Sequence, residues 1–221
     1  EELHGLLFCF LGSLAPEVAT VLHNQKNKPL VLTPVGGLIE RQAGWLLLHE
    51  GYAYTFDLTV LSSHYYGVAA LLSEHWKGQG FRLGSATILG DAAELLEEKT
   101  YRSLVLNSSP IREVELNFVT PTSFRQRGTQ LLFPLPENVF NSLQDTWNKF
   151  SPLLLPDIGF SLLRVKKYRL ETELVLFSRY SIIGFVGRCC YEIPKQASDN
   201  MAQQISCLAA YAGYAGVGYK T

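Results

Sequence analysis

The feature that most constrains the fold is an order of predicted elements that occurs twice along the chain. The first half contains helix, strand, strand, helix and strand. The second half contains strand, helix, strand, strand and helix. Each order becomes βαββαβ when one terminal strand is added, at the start of the first half or at the end of the second. The sequence therefore predicts one unit that is used twice.

Apolar periodicity places the elements of the first half. Leucine and phenylalanine recur at helical spacing over residues 3–14, and Pro16 begins a second short helix that ends near His23 and Asn24. Stretches rich in β-branched and aromatic residues predict strands on either side of one further helix. These elements are strands at 29–35 and 52–60, with 45–48 as a candidate extra short strand, a helix at 63–77 and a strand at 81–89.

The second half shows the matching pattern. Apolar and polar residues alternate over 114–118, which predicts a half-buried strand, and Pro136 begins a helix that ends near Phe150. Two long strands follow closely enough to form a hairpin. These strands and the last helix are at 164–177, 181–193 and 198–212.

The βαββαβ unit is the ferredoxin-like arrangement, which RNA-recognition (RRM-like) modules share. We therefore expect an α+β protein of two tandem ferredoxin-like domains, residues 1–107 and residues 108–221, whose terminal strands are missing. Helices on one face of such a sheet leave the other face open to bind a ligand.

Composition limits the class of protein. The formal net charge is −1, so a nucleic acid would have to be held by a local basic patch. No signal peptide is visible, and no apolar run approaches the roughly 18 residues that cross a bilayer, which predicts a cytoplasmic protein without a membrane partner. The cysteines form no C-x-x-C pair and are interpreted as buried thiols in a reducing compartment. They are Cys9, Cys189, Cys190 and Cys207.

The last predicted helix is followed by a cluster of glycines, Gly213, Gly216 and Gly218, and then by Lys220. Such a loop exposes backbone N–H groups and can cradle phosphate. A helix C-cap with a flexible tail is the alternative.

Five stretches of the sequence resemble one known family. LNFVTPTSFRQRG (116–128) and PLPENVFNSLQDTWNKF (134–150) resemble the repeat-RNA-processing endoribonucleases of CRISPR systems, which belong to the superfamily of repeat-associated mysterious proteins. Residues 4–34 resemble the first helix and strand of that family. GFVG (184–187) resembles its glycine-containing strand, and AGVGYKT (215–221) its C-terminal glycine-rich loop.

This resemblance implies metal-independent cleavage of CRISPR repeat RNA, the precursor of guide RNA in antiviral defence. The ribose 2′-OH would attack the adjacent phosphate, leaving a 2′,3′-cyclic phosphate and a free 5′-OH. It implies no cofactor. The expected partner is CRISPR repeat RNA, with other CRISPR effector proteins as further candidates, and the oligomeric state is left open.

Such cleavage needs a proton acceptor, a proton donor and a group that stabilises the charged phosphorane. The resemblance places the catalytic histidine at His23, which could otherwise only favour the helix dipole. His4 is its candidate partner, because the first helix has no tyrosine of the kind that other members use there. Lys26 and Lys28 follow in one loop and are candidates to stabilise the phosphate, or parts of a solvated turn.

Basic side chains of the second half are candidate RNA contacts. Two arginines follow a polar turn between a strand and a helix, and three cations begin the long strand at 164–177, where Lys167 and Arg169 share a face. A solvated hairpin balanced by Glu171 and Glu173 is the alternative. The candidates are Arg125, Arg127, Lys166, Lys167, Arg169 and Lys220.

The sequence leaves two alternative functions open and gives no sign of a metal site. No histidine pair or carboxylate cluster has the spacing of metal ligands, so no metal site is expected, and His49, His64 and His75 are interpreted as structural. One alternative is a catalytically inactive guide-RNA-binding protein of the same superfamily. The other is an unrelated pair of RNA-recognition modules, which would present exposed aromatic residues on adjacent central strands.

Overall fold

The computed structural model describes residues 2–42, 45–126, 128–176 and 181–218. The chain divides into two compact units, Glu1–Glu98 and Lys99–Thr221. Both combine helices with antiparallel strands, so the predicted α+β class is confirmed.

A helical hairpin opens the first unit. Helix α1 (Glu2–Leu14) and helix α2 (Pro16–Asn24) are separated only by Ala15, whose N–H donates to the Leu11 carbonyl at 2.7 Å. Pro16 occupies the first turn of α2, where its missing N–H costs no hydrogen bond. Leu7, Leu11 and Leu22 are fully buried between the helices and the rest of the unit, as the helical spacing predicted.

The remaining elements of the first unit are short. Strand pairs are antiparallel, and the third helix continues from a 3₁₀ turn at Ser63–Tyr65. In chain order the elements are β1 (Leu30–Leu32), β2 (Ile39–Gln42), β3 (Trp45–Leu48), β4 (Leu58–Val60), α3 (Tyr66–Trp76), β5 (Gly80–Leu83) and β6 (Ala86–Leu89). Their pairs are β1 with β4, β2 with β3 and β5 with β6.

Two strand predictions in this unit were wrong in extent. The predicted strand at 81–89 is a hairpin, because Gly84 adopts a φ of +61° and turns the chain between β5 and β6. The predicted strand at 52–60 is a regular strand only from Leu58 onward, although Thr55 forms an isolated antiparallel bridge with Gly36. Before that point the Tyr54 hydroxyl accepts from the His49 N–H at 2.6 Å and donates to the Leu38 carbonyl at 3.0 Å.

The second unit is built on a three-stranded antiparallel sheet. Its strands lie in the order Arg164–Leu176, Ser181–Glu192 and Glu113–Thr122, and the two long strands, the first two in this order, form the predicted hairpin. One face of the sheet packs against helices over a core of Trp147, Phe140, Tyr191 and Tyr211. The elements are α4 (Tyr101–Leu106), β7 (Glu113–Thr122), β8 (Phe124–Gln126), β9 (Thr129–Leu131), α5 (Pro136–Phe150), β10 (Arg164–Leu176), β11 (Ser181–Glu192) and α6 (Asp199–Tyr211).

The cysteine prediction holds for three of the four thiols. Cys189, Cys190 and Cys207 are buried and free. Cys9 is free but exposed, which corrects the prediction. It lies on the side of α1 that is opposite to Leu7 and Leu11, half a turn away from the buried face.

Gly187 is required by close packing within the sheet. Its φ is +115°, and a Cβ there would lie 2.2 Å from the Arg169 carbonyl oxygen of the neighbouring strand. We therefore expect Gly187→Ala to lower the free energy of unfolding by at least about 2 kcal/mol. Chemical denaturation monitored by tryptophan fluorescence measures the change. Gly213→Ala is the control, since its Cβ would make only an ordinary 3.6 Å contact; equal stabilities of the two variants would contradict the prediction.

Candidate active site

The helical hairpin of the first unit brings His4 and His23 onto one aromatic ring. The His4 ring lies 4.6 Å from the Phe8 ring, centroid to centroid, at an angle of 32°. The His23 ring meets the same Phe8 ring edge to face at 5.7 Å. Both histidines are exposed, while Phe8 is half-buried and packs against the core of the unit. Two histidines far apart in the sequence therefore share one surface.

Each histidine reaches Phe8 for a local reason. His4 precedes Phe8 by four residues, so the two side chains are neighbours on one face of α1. His23 lies in the last turn of α2, which runs back along α1 after the break at Ala15. The four-residue spacing of His4 and Phe8 was visible in the sequence. The contact between Phe8 and His23 depends on how the two helices pack.

The environment of His4 favours its neutral form. Partial desolvation lowers the pKa of His4 below its usual value, and the nearby positive charges of Lys28 and His23 lower it further. A neutral imidazole can accept a proton, whereas an imidazolium cannot. At neutral pH His4 is thus suited to act as a base.

The loop after α2 holds Lys28 close enough to His4 for its charge to act on that imidazole. The Lys28 ammonium donates to the Gln25 carbonyl at 3.2 Å, and Gln25 Nε2 donates to the Tyr65 hydroxyl at 2.5 Å. Lys26, in the same loop, is exposed. Gln25 and Tyr65 were not among the predicted site residues, because the sequence pattern assigned Tyr65 only to the buried face of a helix.

The structure places most of the predicted RNA contacts on the second unit. Arg125 is exposed on β8, and Lys167 and Arg169 are exposed on β10. Lys166 forms an ion pair with Glu113, and the hydrogen bond between them raises the pKa of Lys166. Arg127 and Lys220 lie outside the described residues.

The glycine-rich segment after α6 packs against the second unit. Gly218 has a φ of +109°, and a Cβ there would lie 2.8 Å from Thr122 Cγ2. Its N–H donates to Ser142 Oγ at 3.4 Å. Gly213 lies one residue beyond the helix cap at Ala212 and does not adopt a positive φ, and Gly216 is half-buried. Gly218 is therefore the glycine that close packing requires.

The other histidines have neighbours of their own. His75 Nδ1 lies 3.0 Å from the Leu71 carbonyl of the same helix, and His64 contacts the Tyr65 ring. His49 lies 3.3 Å from a Glu40 carboxylate oxygen. Among the residues that the structure describes, no three His, Cys, Asp or Glu side chains are grouped to hold a metal ion.

The described part of the chain contains no helix whose length and apolar character would let it cross a membrane.

Comparisons with known proteins agree on one family. The family model "CRISPR-associated endoribonuclease Cas6" matches residues 116–221. The CRISPR-associated endoribonuclease Cas6 of Streptococcus thermophilus is 24% identical to the chain, over the whole chain and 86% of that protein. A second Cas6, from Mycobacterium tuberculosis, is 26% identical over 49% of the chain and 36% of its own length.

Solved structures extend the likeness to the fold. A Cas6 product complex has a TM-score of 0.77 and 28% identity, over 97% of this chain and 87% of that one. Thermus thermophilus Cas6, at 23% identity, has a TM-score of 0.68 over 99% of this chain and 85% of its own, which shows a shared fold. These matches confirm the resemblance predicted from the sequence: the chain is similar over nearly its whole length to the Cas6 endoribonucleases of CRISPR systems.

Proposed function

We propose that this protein is an endoribonuclease that cleaves CRISPR repeat RNA without a metal ion. The observation that carries the proposal is the placement of His4 and His23 on one Phe8 ring, with the Lys28 ammonium close enough to lower the pKa of His4. Cleavage by 2′-OH attack needs two proton-transfer groups and one cation, which is what this surface provides.

In the proposed reaction His4 accepts the proton of the 2′-OH. The 2′-oxygen forms a bond to phosphorus while the bond from phosphorus to the 5′-oxygen breaks. His23 gives a proton to the departing 5′-oxygen, and Lys28 stabilises the negative charge on the phosphorane. The products are a 2′,3′-cyclic phosphate and a free 5′-OH. Lys26 is a second candidate for the stabilising cation.

RNA binding is assigned to cations of the second unit. Arg125, Lys167 and Arg169 are exposed and suited to phosphate contacts, and Lys166 would first have to leave Glu113. Arg127, Lys220 and the glycines Gly213, Gly216 and Gly218 remain proposed contacts. One of the similar solved structures is a Cas6 substrate mimic complex, which supports an RNA partner. We place the protein in the cytoplasm, where repeat transcripts are made, with other CRISPR effector proteins as candidate partners.

The proposal is tested by a single-turnover cleavage assay on the repeat RNA of the protein's own locus, with EDTA present. We expect one cut that leaves a 2′,3′-cyclic phosphate and a 5′-OH, identified by mass spectrometry of the fragments. RNA with a 2′-deoxyribose at the cleaved position should bind but resist cleavage. Cutting of this deoxy RNA, or dependence on added Mg²⁺, would contradict the mechanism. Tight binding without any cutting would identify a guide-RNA-binding protein.

A further inference from the structure

We infer that the open face of the second unit's sheet holds a phosphate of the RNA backbone between Arg169 and Arg188. Arg188 was not among the residues that the sequence pattern singled out. The register of the sheet places Arg169 on β10 directly opposite Arg188 on β11, and Arg188 directly opposite Asn117 on β7. These three side chains therefore form one row across the sheet.

The row borders a cleft of about 400 Å³. Asn117, Arg169 and Arg188 line it together with Glu171, Val186 and Gly187. The cleft lies on the face away from the helices, because the residues that alternate with the row, such as Phe118 and Cys189, are buried. The phosphate would therefore be held on a solvent-facing surface along which an RNA strand can run.

Two cations directly opposite each other on a sheet repel and cost stability. Within the described part of the chain neither Arg169 nor Arg188 forms an ion pair, although Glu171 lines the same cleft. An anion placed between the two guanidinium groups would remove the repulsion and accept hydrogen bonds from both. Lys167, two residues from Arg169 on the same strand face, adds a third positive charge nearby.

The composition of this face selects the RNA backbone over the bases. Among the described residues that line the cleft there is no aromatic side chain on which a base could stack, and the aliphatic side chain is Val186. Guanidinium groups hold phosphate by charge and by paired N–H donors. We therefore expect this site to raise affinity without reading sequence, with a marked dependence on salt.

This inference rests on the proposed RNA-binding function, but it is tested by binding alone. The probe is fluorescently labelled repeat RNA with a 2′-deoxyribose at the cleaved position, and fluorescence anisotropy gives Kd from 50 to 300 mM KCl. We expect Arg188→Gln and Arg169→Gln each to raise Kd by about tenfold at low salt and to reduce the slope of log Kd against log salt by about one. The same factor is expected for a scrambled RNA of equal length.

Two variants sharpen the test. Glu171→Gln removes a negative charge from the same cleft and should lower Kd by about twofold to threefold at low salt. Lys195→Gln removes an exposed cation outside the cleft and should leave Kd within about twofold of the parent protein. If Arg188→Gln unfolds, Arg169→Gln and Glu171→Gln still carry the test.

The outcomes separate this inference from the proposed enzyme. An unchanged Kd in both arginine variants, or a loss confined to the repeat sequence, would overturn the phosphate site. The expected Kd changes in a protein that never cuts RNA would support the phosphate site while rejecting the catalytic proposal.

Discussion

The His23→Ala protein is expected to bind repeat RNA as tightly as the parent protein and to cleave it about 100-fold to 10,000-fold more slowly. His23 is proposed to protonate the departing 5′-oxygen, and a positioned acid or base typically contributes this range of rate. The side chain is exposed and its ring packs nearly perpendicular to the Phe8 ring, so its loss leaves no buried cavity. Single-turnover cleavage at saturating enzyme measures the rate, and anisotropy with uncleavable RNA measures binding.

His75→Ala is the matched control for this experiment. His75 is also an exposed helical histidine of the first unit, and its ring nitrogen contacts the carbonyl of its own helix. We expect the His75→Ala protein to cleave repeat RNA at a rate within about twofold of that of the parent protein. If His23→Ala cleaves as fast as His75→Ala, His23 has no catalytic role and the chemistry must lie with His4 or the lysines.

The second large effect is expected at His4. Because the pKa of His4 is lowered below 6.5, the cleavage rate should stay high as the pH falls to that value and decline only below it. His4→Ala should cut about 100-fold more slowly and lose this acidic decline, since the group that must be neutral is absent. Rates of cleavage between pH 4.5 and 8.5 under single-turnover conditions provide the measurement.

Lys28→Met is the companion variant, because it changes the charge beside His4 while leaving the imidazole in place. The Lys28 ammonium disfavours protonation of the neighbouring His4. Removing it should therefore raise the pKa of His4 and move the acidic decline in cleavage rate to higher pH. The same argument applies to stability: the folded protein binds a proton at His4 less readily than the unfolded chain, so protonation favours unfolding as the pH falls. A decline that stays in place, or moves to lower pH, would show that His4 is not the titrating base.

Local pattern predicted the elements that are long and amphipathic. Pro16 and Pro136 begin helices where expected, and the hairpin of β10 and β11 follows from two long β-rich runs. Prediction failed where the chain turns, or where regular pairing stops, within a β-rich run. Gly84 divides the run at 81–89 into two strands, and the run at 52–60 forms a regular strand only over Leu58–Val60.

The candidate site was likewise predicted only in part from the sequence. The sequence alone determined the two-unit α+β character, the resemblance to the CRISPR endoribonucleases and the residue types that could act, above all His4, His23 and Lys28. Only the tertiary structure decided that both histidines meet Phe8 and that Arg169 lies opposite Arg188. The physical reason is that periodicity specifies which face a side chain takes on its own helix or strand. Helix packing and strand register, which arise from contacts far apart in sequence, decide which side chains meet.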